Sequence, residues 1–313
     1  MLRALSICLA VSLATAGPGH AQAPAAQGTL RADTLAVFDA AGMAESFAIM
    51  VEAGKRDAGA LADTLFPGRD AQGWAQMVDR LYTESALRRV FESAFPEDRI
   101  AAARAQEILD FFGSETGRRV VAGELAAWRA ITDPEVEAAA NALYQQRLAE
   151  NDPRIGQLSR LIASNDFVDL NVMGALNSNY AFLLAMSDGG AYERPVAQDM
   201  ILRQVWQQEP QIREDATLWL YSFQVLAYAD LSDSELEAYI AFSNSGAGQA
   251  YNSALFAGFD AVYTQMSTRL GTAAAQFMTG EPLGSRPAVC AAVNDRSGSC
   301  GDVEAARAGA TCI

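Results

Sequence analysis

The chain has 313 residues, and half of them are hydrophobic, which is enough for a sizeable core and excludes a disordered linker protein. It carries 23 Lys and Arg against 38 Asp and Glu, a formal net charge of −15. This charge repels polyanions, so nucleic acid is not an expected partner. The length predicts roughly two domains.

The N-terminus is typical of a secretory signal. Arg3 precedes an apolar run over residues 5–13, Pro18 breaks that run, and small residues lead up to the Ala21/Gln22 bond. We therefore expect a signal peptide over residues 1–21, cleavage near Ala21, and a periplasmic or secreted protein. No later stretch approaches the roughly 20 continuous apolar residues of a membrane helix, so no transmembrane segment is predicted.

Cleavage at this position would remove His20, the only histidine of the chain. The mature protein would then lack the base of Ser-His-Asp and Cys-His catalysis and every histidine metal ligand. We therefore predict no catalytic residue, no metal site and no cofactor.

Both halves of the chain show helical periodicity. Apolar residues recur at intervals of three or four, as at Leu87, Val90 and Phe91 in the first half and at Leu236 and Ile240 in the second. No comparable set of alternating strand residues is present. The segments 132–135 (Thr-Asp-Pro-Glu) and 232–235 (Ser-Asp-Ser-Glu) both fit the capping box of a helix start. The predicted fold class is all-α.

A short motif occurs twice, 131 residues apart. Phe111, Ser114 and Gly117 recur as Phe242, Ser245 and Gly248, and the apolar positions around them coincide at the same shift. We predict a tandem duplication of one helical module, with the first repeat at 30–150, the second at 160–282 and an irregular, cysteine-containing tail at 283–313.

The motif has a structural and a catalytic interpretation. In the structural one, Phe closes a helix, Ser caps the next helix, and Gly lets two backbone segments pass closely. In the catalytic one, Ser114 and Ser245 are nucleophiles, but neither lies in Gly-x-Ser-x-Gly and no histidine base is available. The spacing favours the structural interpretation.

The segment 231–248, together with the first copy of the motif, resembles the signature of the bacterial "domain of unknown function 2059" family (DUF2059). That signature has Leu-Ser/Thr, an acidic Glu-Leu pair, and Phe-aromatic-x-Ser-x-x-Gly followed by basic residues. The first copy matches its end with Phe112 and the pair Arg118-Arg119, whereas the second has Ser243 and Gln249-Ala250 at these places. The resemblance implies an exported, mainly helical protein and provides no catalytic residues.

Three cysteines lie in the tail, in an export context that permits disulfides. The Asn, Asp, Ser and Gly residues between Cys290 and Cys300 turn easily and favour a disulfide between these two. A Cys300–Cys312 bond would close a loop of similar size and stays open.

Acidic and aromatic residues supply the remaining candidates. The cluster Asp230, Asp233, Glu235 and Glu237 fits a solvated helix start better than a Ca²⁺ site, because the EF-hand order is absent. Three aspartates next to apolar residues are candidates for half-buried groups with a raised pKa or for paired or capped ones: Asp166, Asp169 and Asp260. The aromatic residues of the second half are expected in the core, or in part along a groove between the repeats: Trp206, Trp219, Tyr221, Phe223 and Tyr228.

Two function classes follow. The favoured one is a non-catalytic binding protein of the bacterial envelope, whose partner is an envelope protein, a peptide or an apolar ligand. The alternative is a hydrolase that uses paired carboxylates in a groove between the repeats. The oligomeric state is left open.

Overall fold

The computed structural model describes residues 30–280, and all regular structure within this range is helical. The predicted all-α class is therefore confirmed for the described part of the chain. A single 3₁₀ turn at Glu97–Arg99 separates the fourth and fifth helices. The α-helices are α1 (Ala32–Ala40), α2 (Met43–Leu65), α3 (Ala71–Leu81), α4 (Glu84–Ala94), α5 (Ala102–Gly113), α6 (Glu115–Ala130), α7 (Pro134–Ala149), α8 (Pro153–Ser164), α9 (Phe167–Asp188), α10 (Gln198–Trp206), α11 (Glu209–Ala227), α12 (Asp233–Ser243) and α13 (Gly246–Thr279).

Of the two predicted capping boxes, one is confirmed and one is displaced. Ser232 caps α12, with its hydroxyl accepting from the Glu235 N–H and the Glu235 carboxylate accepting from the Ser232 N–H. The prediction at Thr132 is wrong by one residue, because Asp133 is the N-cap of α7 and accepts from the Glu135 N–H at 2.9 Å. Pro134 explains the shift: it fits the first helical position, which makes the residue before it the cap.

The two copies of the motif form the same kind of helix–helix corner. The Ser114 hydroxyl caps α6 by accepting from the Gly117 N–H at 3.0 Å, and the Ser245 hydroxyl caps α13 by accepting from the Gly248 N–H at 3.0 Å. A Cβ at Gly117 would lie 2.0 Å from the Phe111 carbonyl oxygen, and one at Gly248 would lie 2.1 Å from that of Phe242. The glycines thus allow the closing helix and the opening helix to approach this closely.

The corners also contact each other. The rings of Phe111 and Phe242, which hold equivalent places in the motif, stack with centroids 4.0 Å apart and planes within 1°. Arg119 of the first corner donates to the Glu235 carboxylate and to the Asp230 carbonyl at the start of α12. The basic residue that follows the first motif therefore joins the two halves.

The halves diverge after the corners. In the first half, α6 ends at Ala130 and Asp133-Pro134 starts α7. In the second half, the corresponding stretch lacks proline and α13 continues for 34 residues. At 1.5 Å per residue, α13 is about 50 Å long, and it packs against helices of both halves.

The helices share hydrophobic cores across the predicted repeat boundary. Helices α1 to α5 pack against α9 and α13, and Phe91 of α4 contacts Phe259 of α13 with ring centroids 4.9 Å apart. A second core joins α6, α7, α8, α11 and α12, and a third joins α9, α10 and α11. The first core is thus completed by helices that begin more than 50 residues after α5 ends.

Two groups of predictions lie outside the described residues. These are the signal peptide at 1–21 with its cleavage site near Ala21, and the tail at 283–313 with the Cys290–Cys300 disulfide. Between residues 30 and 280, no individual helix combines the length and apolar character needed to cross a membrane. Helices α1 and α2 meet that criterion only as a pair, with a bend of 61° between them.

Candidate functional site: an aromatic cleft with two partly buried acids

A cleft opens where both halves of the chain meet. The α1–α2 junction and α6 line one part of it, and α9, α11 and α13 line the rest. Its volume is about 90 Å³. Because one water molecule needs roughly 10–15 Å³ by this measure, the cleft has room for several waters or a small ligand. Its walls are formed by Ala41, Met43, Ser46, Val121, Glu124, Leu125, Trp128, Leu170, Asn171, Gly174, Ala175, Ser178, Trp219, Phe223, Tyr251, Leu255, Phe256, Phe259, Asp260 and Tyr263.

Aromatic rings dominate the walls of this cleft. Trp219 and Phe223, one turn apart on α11, stack with centroids 5.0 Å apart and planes within 7°. Trp128 of α6 and Phe256 of α13 also face the cleft. Such a surface favours the apolar part of a ligand over water.

The aromatic residues predicted as a group have different positions. Trp219 and Phe223 line the cleft, whereas Tyr228 is buried in the second core. Tyr221 stacks on Tyr144 with centroids 4.8 Å apart, and Trp206 is 51% exposed at the end of α10. The core and groove predictions each fit some members of the group, and both are wrong for Trp206, which lies at the exposed end of α10.

Glu124 is the first acid of the cleft, and its side chain is partly buried. Its Oε1 accepts hydrogen bonds from the Tyr228 hydroxyl at 2.7 Å and the Tyr239 hydroxyl at 3.0 Å. Burial raises the pKa of this carboxyl, and the two phenol hydrogen bonds lower it by less. The negative charge in turn contributes to the raised pKa values of Tyr228, Tyr239 and Tyr251, for which burial is the main cause.

A second, smaller cavity of about 50 Å³ adjoins the cleft, and Glu124 lines both. Gln224 and Asn252 add amide groups to it, and Tyr228 and Tyr239 add hydroxyls. Val121, Phe223 and Tyr251 also line both cavities. Glu124 is therefore shared by two neighbouring cavities.

Asp260 is the second acid of the cleft. It accepts a hydrogen bond from the Asn177 amide at 3.2 Å, and burial raises the pKa of its carboxyl while this bond lowers it by less. Asp260 thus has the environment that the sequence suggested as one option. Asp169 has the alternative environment, that of a paired aspartate, because it forms an ion pair with Arg213 at 2.6 Å. Asp166 is the residue just before α9 and adopts a left-handed backbone conformation (φ 52°).

The acidic cluster at the start of α12 is held by arginines and by a cap. Asp233 pairs with Arg154 at 2.8 Å, and Glu237 accepts from Gln157 at 2.9 Å. Hydrogen bonds from Ser232, with Arg119 nearby, lower the pKa of Glu235. Across the described residues, no group of three or more His, Cys, Asp or Glu side chains is placed to hold a metal ion.

The sequence analysis did not single out Glu124. The residue lies in α6 four positions after Val120 and four before Trp128, which places it on an apolar helix face. A carboxylate within an apolar stripe is the signal that could have identified it.

No protein-family model, no curated protein and no solved structure matches the chain. The resemblance to the DUF2059 signature therefore depends on the residues quoted above.

Proposed function

We propose that this chain is a non-catalytic binding protein of the bacterial envelope that holds a small, largely apolar ligand in the cleft. The observation that carries the proposal is the aromatic wall, to which both halves contribute. The volume of the cleft suits a small molecule rather than a helix or a folded partner. The envelope location is supported by the secretory signal read from residues 1–21.

We further propose that the two halves arose by duplication and belong with the DUF2059 family. The starts of α5 and α12, and those of α6 and α13, are separated by the same shift as the motif. Stacking of Phe111 on Phe242 supports this proposal, since equivalent residues meet when two similar units pack face to face. In this arrangement the ligand site is a product of the pairing and is absent from either unit alone.

Binding is tested with a neutral probe and a variant that fills the cleft. Gly174 of α9 faces the cleft, and a Cβ there would have only Asp260 Oδ1 within 4 Å, at 3.9 Å, so a leucine side chain would extend into free space. We expect 1-hexanol to bind the full chain in calorimetry and to change the fluorescence of Trp128 and Trp219, and Gly174→Leu to abolish both signals.

Gly156→Leu is the matched control, because Gly156 is exposed on α8 and nothing lies within 4 Å of its Cβ position. This variant should bind hexanol as the wild type does. No binding to the wild type, or equal binding to Gly174→Leu, would contradict the proposed function.

The second candidate is a hydrolase that uses paired carboxylates. It is favoured by one observation: Glu124 and Asp260 line the same cleft, and burial raises the pKa of both. This candidate predicts turnover of peptidoglycan or of peptide libraries that is lost in both Glu124→Gln and Asp260→Asn. Turnover with that dependence would replace the binding proposal, and a wild type without turnover would leave binding as the function.

A further inference from the structure

We propose that the ligand of the cleft carries a primary ammonium group, which is held among Glu124, Asp260 and Asn171 while its apolar part contacts the aromatic wall. This inference rests on the proposed function, since it names the chemical class of the molecule that the cleft binds. It is carried by the hydrogen-bonding capacity and the charge of the groups that face the cleft.

An unused acceptor of the cleft belongs to Asn171. This residue is 8% exposed, and its Nδ2 donates to the Phe167 carbonyl at 2.7 Å, which sets the orientation of the amide. Its Oδ1 is buried and has no hydrogen-bond partner among the described residues. Because an unsatisfied buried acceptor costs free energy, a donor from a ligand would stabilise this site.

The neighbouring acids add further acceptor capacity. Both phenol hydrogen bonds to Glu124 end on Oε1, so neither occupies Oε2. In the adjoining cavity, Gln224 is 2% exposed, and its Oε1 is also buried without a partner in the described part of the chain. A group with several N–H donors matches this set, and a primary ammonium has three.

The charge of the site has one sign. Glu124 and Asp260 line the cleft, and none of the described residues that line either cavity is a lysine or an arginine. An organic cation would therefore offset the desolvation that disfavours the ionised form of these acids, and an organic anion would add charge of the same sign.

The aromatic rings lie close to the acids because of helix geometry. Trp128 follows Glu124 by four residues on α6, and Phe256 precedes Asp260 by four residues on α13, so each pair shares a helix face. A cation placed between the acids thus has ring faces nearby, which adds cation–π attraction. The methylene groups of the ligand would cover the same rings.

The test compares three probes with the same six-carbon chain: hexylammonium, 1-hexanol and hexanoate. Calorimetry at about 0.15 M salt screens the general attraction of cations to the acidic surface. We expect hexylammonium to bind about tenfold more tightly than hexanol, since charge-assisted hydrogen bonds are stronger than neutral ones, and hexanoate to bind more weakly than hexanol. Gly174→Leu should abolish hexylammonium binding.

Two variants test whether the preference for hexylammonium comes from the acids of the cleft. In Glu124→Gln and Asp260→Asn we expect the advantage of hexylammonium over hexanol to shrink, while hexanol binding, which reports an intact cleft, is retained. The exposed Glu237→Gln is the control and should keep the full advantage. If one cleft variant misfolds and loses hexanol binding, the other variant and the comparison of the three probes on the wild type still test the preference for an ammonium group.

The outcomes separate this inference from the proposed function. Hexanol binding without a preference for hexylammonium would overturn the ammonium inference and leave an apolar ligand site. A preference that survives both acid substitutions would also overturn it. No binding of any probe would contradict the proposed function itself.

Discussion

Two glycines determine how closely the helices meet at the corners. At Gly117 and Gly248 the space for a side chain is already filled by a carbonyl oxygen of the preceding helix. Backbone atoms cannot move aside as a flexible side chain can. The serine cap and the glycine therefore act together, because the cap starts the helix and the glycine allows the approach.

At this scale we predict that Gly248→Ala lowers the free energy of unfolding by about 1–3 kcal/mol, since the added methyl group forces the α12–α13 corner apart. Gly156→Ala is the matched control, where open space and helix propensity should raise stability by about 0.5–1 kcal/mol. Urea unfolding of both variants measures the difference. Equal changes in the free energy of unfolding of the two variants would mean that the α12–α13 corner has room for a methyl group.

The environment of Glu124 predicts that the stability of the protein depends on pH. The pKa of Glu124 is raised above its ordinary value of 4.5, and the groups that face it, Tyr228, Tyr239 and Tyr251, are neutral phenols in that range. The folded protein therefore retains a proton that the unfolded chain releases. Stability should fall as the pH rises from about 4.5 through the folded pKa.

Urea unfolding between pH 4 and 8 tests this dependence. We expect Glu124→Gln to have a flatter profile than the wild type, with a remaining decline from Asp260, whose pKa is also raised. Glu237→Gln is the control: the pKa of Glu237 is lowered by its bonds to Gln157 and Arg160, so its own contribution is lost as the pH falls. An unchanged slope in Glu124→Gln would show that folding does not raise the pKa of this carboxyl.

Among the helices, α8 is tied to the turn between α11 and α12 by one side chain. Arg154, whose side chain is only 13% exposed, donates to the Tyr228 carbonyl at 2.5 Å, the Leu231 carbonyl at 2.7 Å and Asp233 at 2.8 Å. Its guanidinium therefore adds a donor to the carbonyl of the C-cap residue Tyr228, which also accepts from the Leu231 N–H, and supplies one to the Leu231 carbonyl. This arginine thus connects two elements that are more than 70 residues apart.

We predict that Arg154→Met lowers the free energy of unfolding by about 2–3 kcal/mol, because two partly buried carbonyls lose a charged donor. Arg160→Met is the comparison, since Arg160 and Glu237 form an exposed pair and such pairs contribute at most about 1 kcal/mol. Thermal unfolding of the two variants gives the ranking. A smaller loss of stability in Arg154→Met than in Arg160→Met would contradict the proposed role of Arg154 in connecting α8 to the turn.

At the scale of the whole molecule, the two halves depend on each other for their cores. Phe91 is fully buried, and its neighbour Phe259 comes from α13 near the end of the described chain. The cleft has the same dependence, because its acids lie on α6 and α13. The first core and the cleft are therefore linked through one long helix, α13.

We predict that residues 30–150, produced alone, show helical circular dichroism but no cooperative thermal transition, because the first core lacks α9 and α13. Residues 30–280 should unfold in one transition, and co-expression of 151–280 should restore it. A cooperative transition of the isolated first half would contradict the shared core.

Local features were predictable from the sequence because their causes lie within a few residues. Helical periodicity, the Ser232 cap and the Phe-x-x-Ser-x-x-Gly corner involve contacts between residues at most six positions apart. The cap at Asp133 was harder to predict, because Thr132 and Asp133 are both good capping residues. Pro134 at the first helical position makes Asp133 the cap. The predicted corner glycines needed no long-range information.

The sequence by itself determined the helical class, the corners and the position of Asp260 next to an apolar run. Only the tertiary structure brought Glu124 and Asp260 to one cleft and separated Trp219 and Phe223, which line it, from Tyr228 and Trp206. The physical reason is distance along the chain: helix propensity and capping act between near neighbours, whereas the environment of Glu124 depends on side chains more than 100 residues away.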